Sequence, residues 1–282
     1  NSYLIDDEMV ALVDTVDICY FEVYLRKIKQ VIGERPINYL IINHMEPDHS
    51  GSIRLIKQHY PGIIIVGNKQ TFGMIEGFYG VTGEQYLVKE GDFLALGHHK
   101  LRFYMTPMVH WPETMMTFDE TDGVLFSGDG FGCFGTVDGG FLDTRINVDK
   151  YWGEMVRYYS NIVGKYGSPV QKALQKLGGL PISAICSTHG PVWTENIAKV
   201  IGIYDRLSRY DADEGVVIAY GSMYGNTEQM AEAIAEELSA QGVKNIVMHN
   251  VTKSHPSYII ADIFRYKGLI IGSPTYSNQI FP

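Results

Sequence analysis

Apolar positions along the chain gather into short runs separated by polar turns, and the spacing of those runs predicts alternating strands and helices. Residues 3–5 and 10–14 read as strands and 20–32 as a helix. Residues 37–42 are almost wholly apolar over strand length, the mark of a strand buried on both faces. The polar loop 43–51 follows, then a helix over 52–60, a strand over 63–67, a helix over 69–79 and a β-rich stretch over 85–106. Strands over 37–42, 101–106, 123–127 and 184–187 end just before His44, His110, Asp129 and His189. Four polar clusters therefore stand at the ends of four apolar strands, where loops converge and sites are commonly built.

A polar, Asp-rich stretch over 208–215 marks a change of composition. Beyond it a strand over 216–220 leads into a helix over 226–241, with Met230, Ala231, Ile234 and Leu238 near helical spacing. A strand over 246–248, a helix near 258–264 and a strand over 269–272 complete a βαβαβ run. Two domains are expected, 1–212 and 213–282. A doubly wound domain of flavodoxin type needs about five parallel strands, whereas the sequence offers three. The expectation is a fragment, or a sheet completed by another chain. The chain also opens directly on a strand with no initiator Met, so the natural chain is expected to begin earlier.

The formal net charge of -9 argues against nucleic acid as a main partner. The 3 cysteines, Cys19, Cys133 and Cys186, are far apart with no CxxC pair, which favours a reducing, cytoplasmic setting over a disulfide framework. No apolar run approaches the roughly 18 residues of a membrane span, and the first residues do not resemble a targeting segment.

The loop after the third strand carries His44-x-Glu46-x-Asp48-His49, four metal-competent side chains in close succession. Alternation would put His44, Glu46 and Asp48 on one side of an extended loop. The plain alternative is a solvated polar loop; a buried strand before it, and Pro47 and Gly51 shaping it, favour metal. Downstream stand His110 in Val109-His110-Trp111-Pro112-Glu113, Asp129 in Ser127-Gly128-Asp129, and His189 in Ser187-Thr188-His189-Gly190-Pro191. A four-ligand loop, then His, Asp and His, resembles the metallo-β-lactamase superfamily. Hydrolases of that superfamily usually carry His-x-His-x-Asp-His. Glu46 replaces the second imidazole with a hard carboxylate, which favours iron over zinc.

Two further segments belong with these. Ser222-Met223-Tyr224-Gly225-Asn226-Thr227 follows a strand and opens a helix, placing hydroxyls and free N–H groups at an anion-binding helix start. It lacks the Lys of a P-loop and the GxGxxG of a dinucleotide fold, and resembles the FMN phosphate loop of flavodoxins. Ser273-Pro274-Thr275-Tyr276-Ser277-Asn278 resembles the second flavodoxin loop, which borders the flavin ring; the third lies beyond Pro282.

Together the motifs resemble the flavodiiron proteins over essentially the whole chain. That resemblance implies an αββα metallo-β-lactamase-like sandwich followed by a partial flavodoxin-like, doubly wound parallel sheet. It implies two irons, one held by His44, Glu46 and His110, the other by Asp48, His49 and His189, with Asp129 bridging; His49 is not a ligand in every member of the family. Tyr159 stands near the site as a supporting group, or else on an aromatic helix face. The implied activity is reduction of dioxygen to water or nitric oxide to nitrous oxide. Electrons would arrive through FMN from a rubredoxin-like donor. Flavin and metals of one chain lie far apart in the family, so a head-to-tail homodimer is implied. The alternatives are a dizinc hydrolase acting through metal-bound hydroxide, and a flavodoxin-like carrier with a docking domain. Among other residues, His98 and His99 are expected in solvent, His59, His249 and His255 without a role, Cys133 as a bystander, Trp111 beside the metal loop, and Met115-Met116 in the core.

Overall fold

The computed structural model describes residues 1–137 and 139–280. Among them two sheets face each other. The first has five strands in the order Tyr3–Ile5, Ala11–Val13, Tyr39–Ile41, Ile64–Gly67 and Gln85–Leu87, parallel except for its opening hairpin. The second has six, running Val192–Trp193, Ala184–Ser187, Val124–Gly128, Met115–Asp119, Lys100–Met105 and Phe93–Ala95. It is antiparallel except where Ala184–Ser187 lies parallel to Val124–Gly128.

The apolar faces account for this layering. Ile5, Val13, Ile41 and Val66 of the first sheet meet Leu101, Phe103, Met115 and Phe126 of the second in one core. The outer face of the first sheet packs on helices Phe21–Ile32, Ile53–His59 and Lys69–Tyr79. That of the second packs on Asp149–Tyr158, Gly167–Leu177 and Ile197–Ser208. The result is the four-layered αββα sandwich. Helix Phe21–Ile32 shows the logic locally. It buries Phe21, Leu25, Ile28 and Ile32 on one stripe and ends where Gly33 takes a φ of 62°, a conformation that suits glycine.

The C-terminal segment forms a three-stranded parallel sheet, Ile246–Asn250, Asp213–Tyr220 and Tyr266–Gly272. Helices Asn226–Ala240 and Pro256–Arg265 connect its strands. With Asp213–Tyr220 in the centre, this is the beginning of a doubly wound sheet. Pro256–Arg265 also lies against Asp149–Tyr158 of the sandwich. There the Arg157 guanidinium sits between Phe134 and Tyr258, 4.5 and 4.6 Å from the ring centres, and donates to Ser257 Oγ at 3.0 Å.

Several elements differ from the sequence reading. Residues 47–50 form a helical turn inside the loop expected to be extended. The three helices between residues 149 and 208 were not foreseen, nor was the hairpin Thr275–Tyr276 with Gln279–Ile280. The β-rich stretch resolves into strands Gln85–Leu87, Phe93–Ala95 and Lys100–Met105, the last two joined by a turn at Gly97 (φ 131°).

Candidate metal centre

The site is assembled from loops at one end of the sandwich. Buried Asp14 accepts the N–H groups of Asn43 and His44 at 2.8 and 3.2 Å, fixing the path out of strand Tyr39–Ile41. Asn43 spans the two sheets, accepting from Thr117 Oγ1 at 2.8 Å and donating to the Phe126 carbonyl at 3.2 Å. Pro47 then starts the helical turn, a position where its missing N–H costs nothing. Ser50 holds that turn closed, donating through Oγ to Met45 O at 2.7 Å and through N–H to Glu46 O at 3.0 Å. The expected extended alternation thus stops at Glu46. Asp48 and His49 return to the site because the chain coils.

All seven residues named from sequence converge. His44 Nε2 and His110 Nε2 lie 3.3 and 3.1 Å from Glu46 Oε2, and His110 Nε2 lies 3.1 Å from Asp129 Oδ2. Beside them, His49 Nε2 lies 3.0 Å from Asp48 Oδ2, 3.1 Å from Asp129 Oδ1 and 2.9 Å from His189 Nε2. The donors form two sets, His44, Glu46, His110 and Asp129 in one and Asp48, His49 and His189 in the other, with donor atoms within 4.8 Å of one another in each. Asp129 turns one oxygen to each set. Its Oδ1 also accepts from Thr188 Oγ1 at 2.5 Å. Glu46, Asp48 and His189 are partly exposed and line the mouth of the site, while His44 and Asp129 are buried.

The electrostatics call for cations. Burial opposes charge on Asp129, yet hydrogen bonds from His110 and His49 hold it well below the usual carboxylate range. Hydrogen bonds from His110 and His44 bring Glu46 down to about 2. Burial likewise opposes charge on the histidines, but Glu113 and Glu46 raise His44 to about 10, and Asp129 and Asp48 raise His49 to about 9. Three carboxylates at such close range need positive charge between them, and here protons on imidazole supply it. A metal ion supplies more, and its binding would displace those protons. Asp48 Oδ1 is buried without a hydrogen-bond partner, and two imidazole Nε2 atoms face each other at 2.9 Å. The unpartnered carboxylate oxygen is costly without a cation, and the two converging imidazole nitrogens are placed to share one. Nitrogen and oxygen donors in two adjoining sets fit a pair of iron ions.

The site also has parts that sequence reasoning missed. Glu113, three residues after His110, is wholly buried, with Oε1 2.9 Å from His44 Nδ1. Tyr158 rather than Tyr159 faces the centre. The Tyr158 ring lies 5.5 Å from that of His189, and its buried hydroxyl makes no hydrogen bond. Burial and the nearby Asp129 charge hold that phenol well above its ordinary value. Tyr159 packs edge-on against Tyr204 at 5.0 Å and towards Phe264, in the core. Trp111 stands edge-on to His44 at 5.3 Å, beside the metal loop. His99, expected in solvent, is partly buried with Nδ1 2.7 Å from Asp119 Oδ2. His249 is held between Asp262 at 2.8 Å and Ser254 at 3.3 Å. Cys133 is buried against Gly190, and burial pushes its thiol up to about 12, as suits an inert residue.

The flavin-like segments lie together, both following the C-terminal ends of parallel strands. Gly225, at a φ of 86°, opens helix Asn226–Ala240, and Ser222 Oγ accepts the Gly225 N–H at 3.1 Å, shaping the loop. Tyr224 is exposed. Ser273 and Pro274 leave the neighbouring strand, and Ser277 and Asn278, with φ of 49° and 61°, form the tight turn after Thr275–Tyr276.

Fold and site define a metallo-β-lactamase-like domain with a metal-competent cluster, followed by a flavodoxin-like segment. Residues 1–190 match the family model described as ODP family beta lactamase, and residues 218–282 match Flavodoxin. The chain is similar to the anaerobic nitric oxide reductase flavorubredoxin of Vibrio vulnificus, at 33% identity over all of this chain and 58% of that protein. It is 32% identical to that of Escherichia coli, covering 60% of it. In structure it resembles the rubredoxin oxygen:oxidoreductase of Desulfovibrio gigas, with a TM-score of 0.96 and 31% identity over 100% of this chain and 71% of the other. The flavodiiron protein of Giardia intestinalis also gives a TM-score of 0.96, at 28% identity over 100% and 69%. The chain belongs to the flavodiiron protein family. It spans 58 to 60% of the length of these flavorubredoxin relatives.

Proposed function

We propose that the whole protein is an oxidoreductase that reduces dioxygen or nitric oxide at a non-haem diiron centre. The observation that carries this reading is the division of the Asp129 carboxylate between two sets of His and carboxylate donors. His44, Glu46 and His110 would hold one iron, Asp48, His49 and His189 the other, and Asp129 would bridge them. When bound, a ferrous pair supplies electrons and a template for a diatomic gas, and FMN supplies the link to a rubredoxin-type donor.

The chain's own groups set the conditions for that chemistry. Glu46, Asp48 and His189 admit a small molecule on the open side. Half-buried Trp111 and buried Val109, on either side of His110 in sequence, pack into the apolar cores behind the two sheets. Tyr158, its ring beside that of His189, keeps a proton at its hydroxyl oxygen because burial and the Asp129 charge oppose its loss. At the C-terminal segment, Ser222 to Thr227 would hold the flavin phosphate at the start of a 15-residue helix, and Ser273 to Asn278 would border the ring. The sandwich would end at residue 212, since the strand of the second unit starts at Asp213.

A head-to-tail homodimer is part of this reading. Beside the metal loop lies an apolar cleft of about 580 Å³ lined by Ile18, Pro47, Leu55, Phe78 and Trp111, and Ile18 and Phe78 are exposed. A second copy laid over this face would cover them. No helix among the described residues is long and apolar enough to cross a membrane. The three cysteines are free, which supports a reducing, cytoplasmic setting.

The test uses the full-length protein loaded with iron and FMN. Metal analysis should give two irons per chain and sedimentation a dimer. Reduced protein should consume dioxygen or nitric oxide, and His110→Ala should abolish this while leaving flavin reduction intact. Two zincs with hydrolytic turnover, or gas reduction that survives His110→Ala, would defeat the reading.

A further inference from the structure

The two halves of the cluster differ behind their metal-facing atoms. Wholly buried Glu113 accepts the Met45 N–H at 2.9 Å through Oε1, and the same oxygen lies 2.9 Å from His44 Nδ1. An oxygen already taking an amide proton is best matched by a second donor. His44 is therefore seated with its Nδ1–H on Glu113 and its Nε2 turned towards Glu46 and Asp129, where a metal ion would take the place of the Nε2 proton. Glu113 Oε2 is buried without a partner. Among the described residues, Glu113 pairs with no Lys or Arg, and its only ionic neighbour is His44. A buried carboxyl so placed is costly unless positive charge comes to it through His44. The corresponding histidine of the other half has no such support, for His49 Nδ1 is buried with no hydrogen-bond partner. A carboxyl group behind a ligating imidazole fixes the tautomer and makes the ring a stronger donor, and losing it typically costs about 10–100-fold in metal affinity.

We propose that Glu113 is a positioning residue that makes the His44–Glu46–His110 position the tighter, first-filled member of the metal pair. This rests on the binuclear reading of the cluster. It makes the two positions unequal although their facing atoms are alike, two imidazole nitrogens and a carboxylate oxygen in each.

The test is a titration of the metal-stripped, full-length protein with Co²⁺ under anaerobic conditions, followed by calorimetry and by the visible bands of bound cobalt. The unaltered protein should bind two equivalents in resolved steps. His189→Ala should remove the weaker step and keep the tighter one, which assigns the steps. Glu113→Gln keeps an acceptor for Met45 and His44 but removes the charge. It should weaken the tighter step about 10–100-fold and leave the other within about twofold. Glu113→Asp, which keeps the charge but withdraws it from the ring, should weaken the same step and serves if Glu113→Gln does not fold. Equal weakening of both steps, or none, would overturn the proposal. Fewer than two equivalents in the unaltered protein would overturn the binuclear reading itself, whatever the Glu113 variants do.

Discussion

Asp143 offers a measurable link between the site loops and the stability of the sandwich. Its buried carboxylate accepts from Thr194 N at 3.0 Å, Thr194 Oγ1 at 2.6 Å, Glu195 N at 3.1 Å, and Asn196 N and Nδ2 at 3.0 Å each. It thereby ties the loop that follows Asp129 to the segment that follows His189 and to the start of helix Ile197–Ser208. In Asp143→Ala, three backbone N–H groups lose their acceptor together. Loss of a helix-start acceptor costs about 1–2 kcal/mol, and unsatisfied buried donors about 1–3 kcal/mol. Because these terms overlap, about 3 kcal/mol is expected. For a unit of this size that lowers the midpoint of thermal unfolding by roughly 6–12 °C. Burial works against charge on Asp143, but the hydrogen bonds from Thr194 and Asn196 prevail, and its folded pKa lies below the ordinary 3.8. A depressed folded value means the stabilisation is fully present above the unfolded pKa and fades as pH falls through the folded one. The difference between wild type and variant should be flat from about pH 8 to 5 and shrink below about pH 4. Urea unfolding of both metal-stripped proteins across this range measures it, and ligand titrations common to both cancel in the difference. A cost under about 1 kcal/mol, or one that grows on acidification, would refute the reasoning.

Tyr158→Phe should slow gas reduction about tenfold or more with iron content unchanged, whereas Tyr159→Phe should leave turnover within about twofold; steady-state gas-electrode rates compare them. Gly190 has a φ of 81°, and an added Cβ would sit 2.3 Å from Cys133 Sγ. Gly190→Ala should therefore destabilise by roughly 3 kcal/mol, strain and overpacking combined. Adding Cys133→Ala should restore only the overpacking share, which chemical unfolding of the single and double variants can separate.

The site was legible because its ligands are polar residues at the ends of apolar strands, a pattern that a sequence displays directly. His110, Asp129 and His189 each stand one or a few residues past a strand, so their convergence followed from the layering. What did not follow was local path. The helical turn Pro47–Ser50 is too short to show a period, so Asp48 was assigned by alternation when coiling delivers it. Helices Asp149–Tyr158, Gly167–Leu177 and Ile197–Ser208 cover the second sheet. Their buried stripes, Tyr151, Met155 and Tyr158, then Val170, Ala173 and Leu177, then Val200, Tyr204 and Leu207, keep helical spacing, so these elements were legible in the sequence although not foreseen from it. Glu113 and His249 look like surface residues in sequence. They are buried or nearly so because a histidine, a main-chain donor or another side chain meets them across the fold, and such pairing is invisible without the third dimension.

The one-residue displacement at Tyr158 and Tyr159 has a physical cause of this kind. Helix Asp149–Tyr158 does not simply continue. Over Tyr159–Val163 the turn widens, and the Gly164 N–H reaches back five residues to Tyr159 O at 2.7 Å. Neighbouring residues on a helix point about 100° apart, so only one of the two tyrosines can face the cluster. The helix stripe that buries Tyr151 and Met155 continues naturally to Tyr158 or Tyr159. The wide turn lets both be buried on different sides, Tyr158 towards His189 and Tyr159 towards Tyr204. Wide turns of this type are rare in helices and frequent at functional sites. Here the wide turn begins at the residue after the one that reaches the metal centre and runs into the contact with helix Pro256–Arg265 through Asn161, which donates to Ser257 O at 3.0 Å. The same few residues therefore orient a hydroxyl at the metal centre and fasten the flavodoxin-like segment. That is why contrasting Tyr158→Phe with Tyr159→Phe separates a role in chemistry from a role in packing.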